Sequence, residues 1–260
     1  MVPATQKYRV SFYRNLSKKA TNSSCSTTST LVQNLPFGLY IKRYRHRDGS
    51  EENALKMIEE HTAIPAPLFV DSFQDETGRM FLVMTGLRGQ PLEEVFHRMT
   101  YPERHQLATD MKKCIFQLRK IPNHIPYRFT NTVGGPMVDH RLPDGKCGPL
   151  NAEADFNSHI VHKDISLRTR EVASLAHSRQ HRVFFTHADF HPLNILIDQG
   201  RLSGIVDWEC AGFFPEYWEY TKAIYGARSK KEMEKLWRLA FDEDYETELR
   251  AEQLLVSETP

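Results

Sequence analysis

The chain has almost no net charge, few cysteines and no long apolar run. Its 34 Lys and Arg stand against 33 Asp and Glu, a formal charge of +1 at pH 7. No overall field therefore draws it to nucleic acid or to an anionic membrane without regard to sequence. No apolar run approaches the roughly 18 residues that cross a bilayer; stretches such as Phe81–Met84 and Ile195–Ile197 have the length of strands. Cys25, Cys114, Cys147 and Cys210 stand far apart with no C-x-x-C pair, which reads as a reduced, cytoplasmic protein. Acidic residues are missing until Asp48, although Lys7, Arg9, Arg14, Lys18 and Lys19 come early and the Ser/Thr tract Thr21–Thr30 follows. Such a segment suits a disordered N-terminus over residues 1–30, with a mitochondrial presequence as the alternative. Glycine is scarce there as well: Gly38 alone precedes Lys42. No internal repeat is visible.

What is present is enough for a core. With 260 residues and 40% hydrophobic content, the chain makes one large domain or two small lobes. Phe37–Tyr44 reads as a strand ending near the turn dipeptide Asp48-Gly49. A helix follows, with Ser50 as N-cap, Glu51 and Glu52 in the first turn, and Ala54, Leu55 and Ile58 on one face. Ile64-Pro65-Ala66-Pro67 stops it. Leu68–Phe73 and Met80–Thr85 flank Asp75–Gly78 as antiparallel strands. Beyond Gly86–Gln90, Leu107, Met111, Ile115 and Leu118 recur at helical spacing. Thr130–Leu150 reads as a long irregular loop of the kind that is usually functional or mobile, and about Glu153–Gln180 reads as helical.

The segment with the most chemistry follows. Val183–Thr186 is a short strand opening into His187-Ala188-Asp189-Phe190-His191-Pro192-Leu193-Asn194. Ile195–Asp198 and Arg201–Val206 form a hairpin about Gln199-Gly200, delivering Asp207-Trp208-Glu209. Cross-strand partners keep a nearly constant index sum, so Asn194 and Asp207 emerge at one end of the hairpin, with Asp189 in a loop able to curl toward them. An Asp and an Asn are hard oxygen ligands suited to Mg²⁺. The remaining carboxylate can orient an attacking hydroxyl and take its proton.

An H-x-D-x-x-x-x-N run, a hairpin and a further Asp form the layout of a kinase catalytic loop and its metal-binding Asp. The runs Thr186–Leu196, Gly204–Glu209 and Pro215-Glu216-Tyr217-Trp218-Glu219-Tyr220 resemble the aminoglycoside phosphotransferase family, in particular its fungal kinase-like members, from about Gly38 to about Leu255. The resemblance implies Asp189 as catalytic base, His187 as a scaffold of the loop, and Asn194 and Asp207 as Mg²⁺ ligands. It also implies Lys42, in Tyr40-Ile41-Lys42, as the lysine on the α/β-phosphates of ATP. Glu51 is its implied ion-pair partner, with Glu52 the second choice, and Leu82–Leu87 is the hinge that meets adenine, including Thr85 and Leu87. No glycine-rich loop is readable before Lys42; Ser26–Thr30 is the candidate replacement.

The expected architecture is a two-lobed α+β protein-kinase-like fold. A small sheet-plus-helix N-lobe spans about 31–86, a hinge about 84–90, and a mainly helical C-lobe about 91–260. The expected activity is ATP- and Mg²⁺-dependent transfer of the γ-phosphoryl group to a hydroxyl of a small molecule, with no nucleic acid or membrane as partner. Two rivals stand beside it. One is an inactive, nucleotide-binding pseudokinase, for want of the glycine loop. The other is a metal-dependent hydrolase using His187, Asp189 and His191, with His177, His181, Cys210 or Asp207 recruited. The acidic stretch Asp242, Glu243, Asp244, Glu246 and Glu248 reads as the solvated face of a terminal helix or, alternatively, as the lining of a cationic substrate's pocket.

Overall fold

The computed structural model describes residues 8–13, 15–16, 31–44, 48–142, 144–161, 163–227 and 230–258. The N-terminal lobe is a four-stranded antiparallel sheet of order β1-β2-β4-β3, built from Val32–Leu35 (β1), Leu39–Arg43 (β2), Phe69–Gln74 (β3) and Met80–Thr85 (β4). Strand side chains alternate between faces, and both faces here are covered. Leu82 joins Ala54, Leu55 and Ile58 of helix α1 (Ser50–His61) in the main core. Its neighbour Val83 joins Ile41, Leu35 and Phe73 on the other face, beneath Val10 and Tyr13.

That second layer corrects the expectation of disorder for residues 8–13 and 15–16 alone. Residues 8–13 and 15–16 are helical. Tyr13 stacks on Phe73 at 5.1 Å between ring centroids, and its hydroxyl donates to Asp71 at 3.1 Å. The sheet's outer face is apolar and needs a cover, which composition alone did not disclose. The candidate phosphate loop, Ser26–Thr30, lies outside the described residues. β1 and the turn Pro36–Gly38 precede β2, so the strand expected from Phe37 begins only at Leu39; Phe37 and Gly38 take φ of 67° and 71° to make the reversal. The cap of α1 also differs. Gly49, not Ser50, occupies the N-cap with φ 75°; Ser50 is the first helical residue, and its N–H donates to the Asp48 carboxylate at 3.0 Å.

The C-terminal lobe is mainly helical. After β5 (Gln90–Pro91) and the short α2 (Leu92–Val95) comes α3 (Tyr101–Leu118), closed at its start by a reciprocal Thr100–Glu103 capping box. The irregular region 130–150 holds three two-residue strands: β6 (Thr130–Asn131), β7 (Met137–Val138) and β8 (Lys146–Cys147). The stretch expected as one helix is two, α4 (Glu153–Ile160) and α5 (Leu167–His177). The break is fixed where the Ser166 hydroxyl caps α5 by accepting from the Thr169 N–H. β9 (Val183–Thr186) pairs with β12 (Gly212–Pro215), and β10 (Ile195–Asp198) pairs with β11 (Arg201–Ile205) and β5. The chain ends in α6 (Trp218–Gly226), α7 (Lys231–Ala240) and α8 (Glu246–Glu258). α3 packs on α7, and α5 on α8. No helix among the described residues is long and apolar enough to cross a membrane.

Candidate active site

The β10–β11 hairpin has the expected centre: Gln199 and Gly200 take φ of 48° and 76°, the signature of a two-residue turn matched to strand twist. Its open end pairs Ile195 with Ile205, and the Asn194 carbonyl accepts the Val206 N–H at 2.9 Å. Asn194 and Asp207 thus leave the hairpin side by side, and both line one cleft of about 1060 Å³ together with Asp189 and Glu209. The loop curls back as anticipated. The Asn194 amide donates to the Asp189 carboxylate at 2.8 Å and to its carbonyl at 3.0 Å.

His187 is completely buried and spends both ring nitrogens on the loop. Nδ1 accepts the Asp189 N–H at 3.1 Å, and Nε2 donates to the Val206 carbonyl at 3.1 Å. Burial lowers its pKa, so the ring is neutral with the proton on Nε2. It packs on Trp208, whose indole N–H donates to the Ile205 carbonyl at 3.0 Å. Ala188 and Asp207 take left-handed backbone, φ 62° and 67°, which a non-glycine residue keeps only where its surroundings over-determine it. Part of that restraint comes from buried Glu219, which accepts the His187 N–H at 2.6 Å and the Ala188 N–H at 3.2 Å. Burial pushes the Glu219 carboxyl up to about 8, against the pull of these two donors.

Across the cleft, Lys42 enters from β2. Its Nζ lies 2.8 Å from Glu51 of α1, 2.5 Å from Asp207 and 3.1 Å from Glu209. Glu52 instead pairs with Lys56 at 2.6 Å, so Glu51 is the partner. Burial alone would lower the Lys42 pKa, but Glu51, Asp207 and Glu209 together raise it above the ordinary lysine value. Glu51 is pushed upward, by its own burial and then by the Asp207 and Glu209 charges. The carboxylate oxygens of Glu51, Asp207 and Glu209 come within 4.8 Å of one another. Three carboxylates facing one ammonium leave an excess of negative charge, and with Asn194 on the same cleft they make a hard-oxygen donor set that fits Mg²⁺.

A sequence model of the phosphotransferase enzyme family (APH) matches residues 42–255. The chain belongs to this phosphotransferase family. The fold agrees with solved members. Aminoglycoside phosphotransferase APH(4)-Ia superposes with a TM-score of 0.67 at 16% identity, covering 95% of this chain and 88% of the other. The GDP complex of aminoglycoside 2'-phosphotransferase-IIIa gives 0.63 at 14% identity over 95% and 88%. A thermostable APH(4)-Ia mutant, solved as a ternary complex with ADP and hygromycin B, gives 0.62 at 16% identity over 98% and 88%. No curated protein sequence matches the chain.

The two expected hinge residues, Thr85 and Leu87, sit between the sheet and the hairpin. Thr85 donates its N–H to the Leu68 carbonyl at 3.0 Å and accepts the Leu68 N–H on its hydroxyl at 2.8 Å, which ties the hinge strand to Leu68. Leu87 lies against Gly204 of β11, where an added Cβ would meet its Cδ1 at 2.5 Å; the hinge rests on the hairpin through that glycine. The metal-hydrolase arrangement is not assembled among the described residues. His187 has no ring nitrogen to give, and His181 lies between Glu153 at 2.6 Å and Glu248 at 3.4 Å. The acidic stretch is neither simply solvated nor in the cleft. Asp242 pairs with Lys112, Glu243 with Arg119, Glu246 with Arg238, and buried Glu248 with Arg179 and His181.

Glu209, Glu219, Asp139 and Lys222 went unassigned in the sequence. Glu209 was within reach through its place two residues beyond Asp207, on the short 3₁₀ turn Trp208–Cys210 that buries Trp208. Lys222 carried a signal too, as a cation in the otherwise apolar and aromatic run Tyr220–Tyr225. Asp139 offered none, since only the tertiary fold brings it to the site.

Proposed function

We propose that the chain is an ATP- and Mg²⁺-dependent phosphotransferase that moves the γ-phosphoryl group to a hydroxyl of a small molecule. The observation that carries this reading is the Lys42 ammonium, which joins Glu51 of α1 to Asp207 and Glu209 beyond the hairpin, while Asn194 holds Asp189 on the same cleft. The presence of all six polar groups, as a Lys42–Glu51–Asp207–Glu209 set and an Asn194–Asp189 pair, favours an active enzyme over an inactive relative. Crystallised relatives carrying ADP, AMP-PNP or GDP support a nucleotide in this cleft.

In this reading Lys42, positioned by Glu51, neutralises phosphate charge on the nucleotide side. Asp207, Asn194 and Glu209 would hold Mg²⁺, which when bound offsets charge on the β- and γ-phosphate oxygens. Asp189, oriented by the Asn194 amide, aligns the acceptor hydroxyl and takes its proton. The acceptor oxygen bonds to the γ-phosphorus as the bond to the β,γ-bridging oxygen breaks, and ADP leaves. Beyond Asp189 the wall carries Tyr225, Glu234, Gln253 and Ser257, hydrogen-bonding groups suited to a polar hydroxyl compound.

The test is acceptor-dependent ADP release from MgATP across sugars, polyols, amino alcohols and aminoglycosides, with mass spectrometry of the product. Asp189→Asn should keep MgATP affinity and lower transfer by about 10²- to 10⁴-fold. Release that the variant leaves intact would remove Asp189 from the base role.

A further inference from the structure

The chemistry above leaves one cation of the cleft without a role. Apart from Lys42, which reaches Asp207 and Glu209 from the N-terminal lobe, Lys222 is the single lysine or arginine among the described residues lining the cleft. It stands on α6, its side chain only 3% exposed, with Nζ 3.4 Å from the Asp189 carboxylate and 3.1 Å from Asp139. Asp139 is wholly buried, entering on the turn after β7. Its carboxylate accepts from the Trp218 indole at 2.9 Å, from the Arg141 backbone at 2.8 Å and from the Arg141 guanidinium at 3.2 and 3.3 Å. Burial alone would raise its pKa, but Arg141 and Lys222 hold it down at about 2. Asp139 is therefore a permanently charged, multiply anchored post, and it fixes the ammonium beside the carboxylate at which an acceptor would meet the γ-phosphate.

A cation at that point answers a specific electrostatic need. Lys42 sits on the Glu51, Asp207 and Glu209 side of the cleft and serves the nucleotide. On the acceptor side an anionic base and an anionic phosphoryl group must come together, and their repulsion falls where no other described lysine or arginine lines the wall. An ammonium carries three donors; Asp139 and Asp189 account for two.

We infer that Lys222 is a further catalytic residue, donating to a non-bridging oxygen of the γ-phosphoryl group as it passes to the acceptor, with Asp139 as its positioning residue. This rests on the phosphotransfer reading. The lysine forms and breaks no covalent bond: it compensates charge between Asp189 and the transferred group, and preorganised charge of this kind acts most strongly where it cannot relax.

The experiment needs no known acceptor. MgADP with fluoroaluminate imitates a phosphoryl group in flight, and its affinity is compared by calorimetry with that of MgADP alone. Wild-type protein should bind the fluoroaluminate complex more tightly. Lys222→Met should keep MgADP affinity within about twofold while losing most of the tightening, on the order of 10²-fold. Lys222→Arg should restore part of it, and Asp139→Asn should give an intermediate loss. If Lys222→Met does not fold, the double variant Lys222→Met with Asp139→Asn removes one buried charge of each sign, restoring the charge balance of the site, and should show the same loss. Full tightening in the methionine or double variant would overturn the assignment and leave Lys222 a structural ion pair. Absence of MgADP binding in the wild type would instead overturn the phosphotransfer reading beneath it.

Discussion

Replacing Lys42 by Met removes the ammonium that three carboxylates share, and the structure says how the protein should respond. At 2.8 Å and an effective dielectric of about 20, the Lys42–Glu51 attraction alone is about 6 kcal/mol before desolvation is counted. Breaking a buried pair from one side typically costs about 3–5 kcal/mol. Glu51 can escape part of that cost. It is 3% exposed, its Oε2 has no hydrogen-bond partner among the described residues, and its pKa is already raised by burial. Without Lys42 it should take up a proton. A carboxyl whose folded pKa exceeds its unfolded value contributes stability that is fully present below the unfolded pKa and lost as pH rises through the folded one. Wild-type Glu51 is itself raised to about 7, so the gap to Lys42→Met, where folded Glu51 keeps its proton to higher pH, should widen by about 1.4 kcal/mol per pH unit above pH 7. Between pH 6 and pH 8 that is about 1.4 kcal/mol, or about 3–6 °C in Tm for a chain of this size. The assay is thermal unfolding of both proteins with chelator present, and a second Glu51→Gln substitution in the Met background should flatten the dependence. A Tm difference equal at pH 6 and pH 8 would refute the reasoning.

Two further outcomes follow from the packing. His181, held between Glu153 and Glu248, has its pKa raised to about 9: burial opposes the shift and the hydrogen bonds to both carboxylates win. Its contribution, at most about 3 kcal/mol, should be complete below pH 6.5 and fade as pH rises toward 9, so His181→Gln should cost Tm at pH 6 and almost none at pH 9.5. Tyr13→Ala should uncover Phe73 and Val83 and lower stability by about 2–4 kcal/mol, read in urea unfolding; a variant as stable as wild type would mean the N-terminal helix does not cover the sheet in solution.

The hairpin was legible because a Gln-Gly turn fixes register, and register decides which residues leave it together. A bulge between Leu196 and Ile197 shifts the pairing by one, too little to separate Asn194 from Asp207. The choice of Glu51 over Glu52 was also readable in physical terms, since Glu51, Leu55 and Ile58 share the face of α1 that turns toward the core. The helix over β1–β4 was not legible: residues 8–16 are basic and short, and their role depends on an apolar sheet face assembled from strands far along the chain. The pairing of Asp139 with Lys222 was hidden for the same reason. That pairing joins an irregular loop to a helix 83 residues later, and no periodicity marks it.

The central claim is a nucleotide and Mg²⁺ gathered between Lys42 and Asp207. The measurement that tests it most directly is calorimetric titration with ATP, with and without Mg²⁺, of the wild type and Asp207→Asn. The account predicts saturable binding that Mg²⁺ strengthens in the wild type and a Mg²⁺ effect largely lost in the variant. Binding that is absent in the wild type, or a Mg²⁺ effect that Asp207→Asn leaves unchanged, would contradict it.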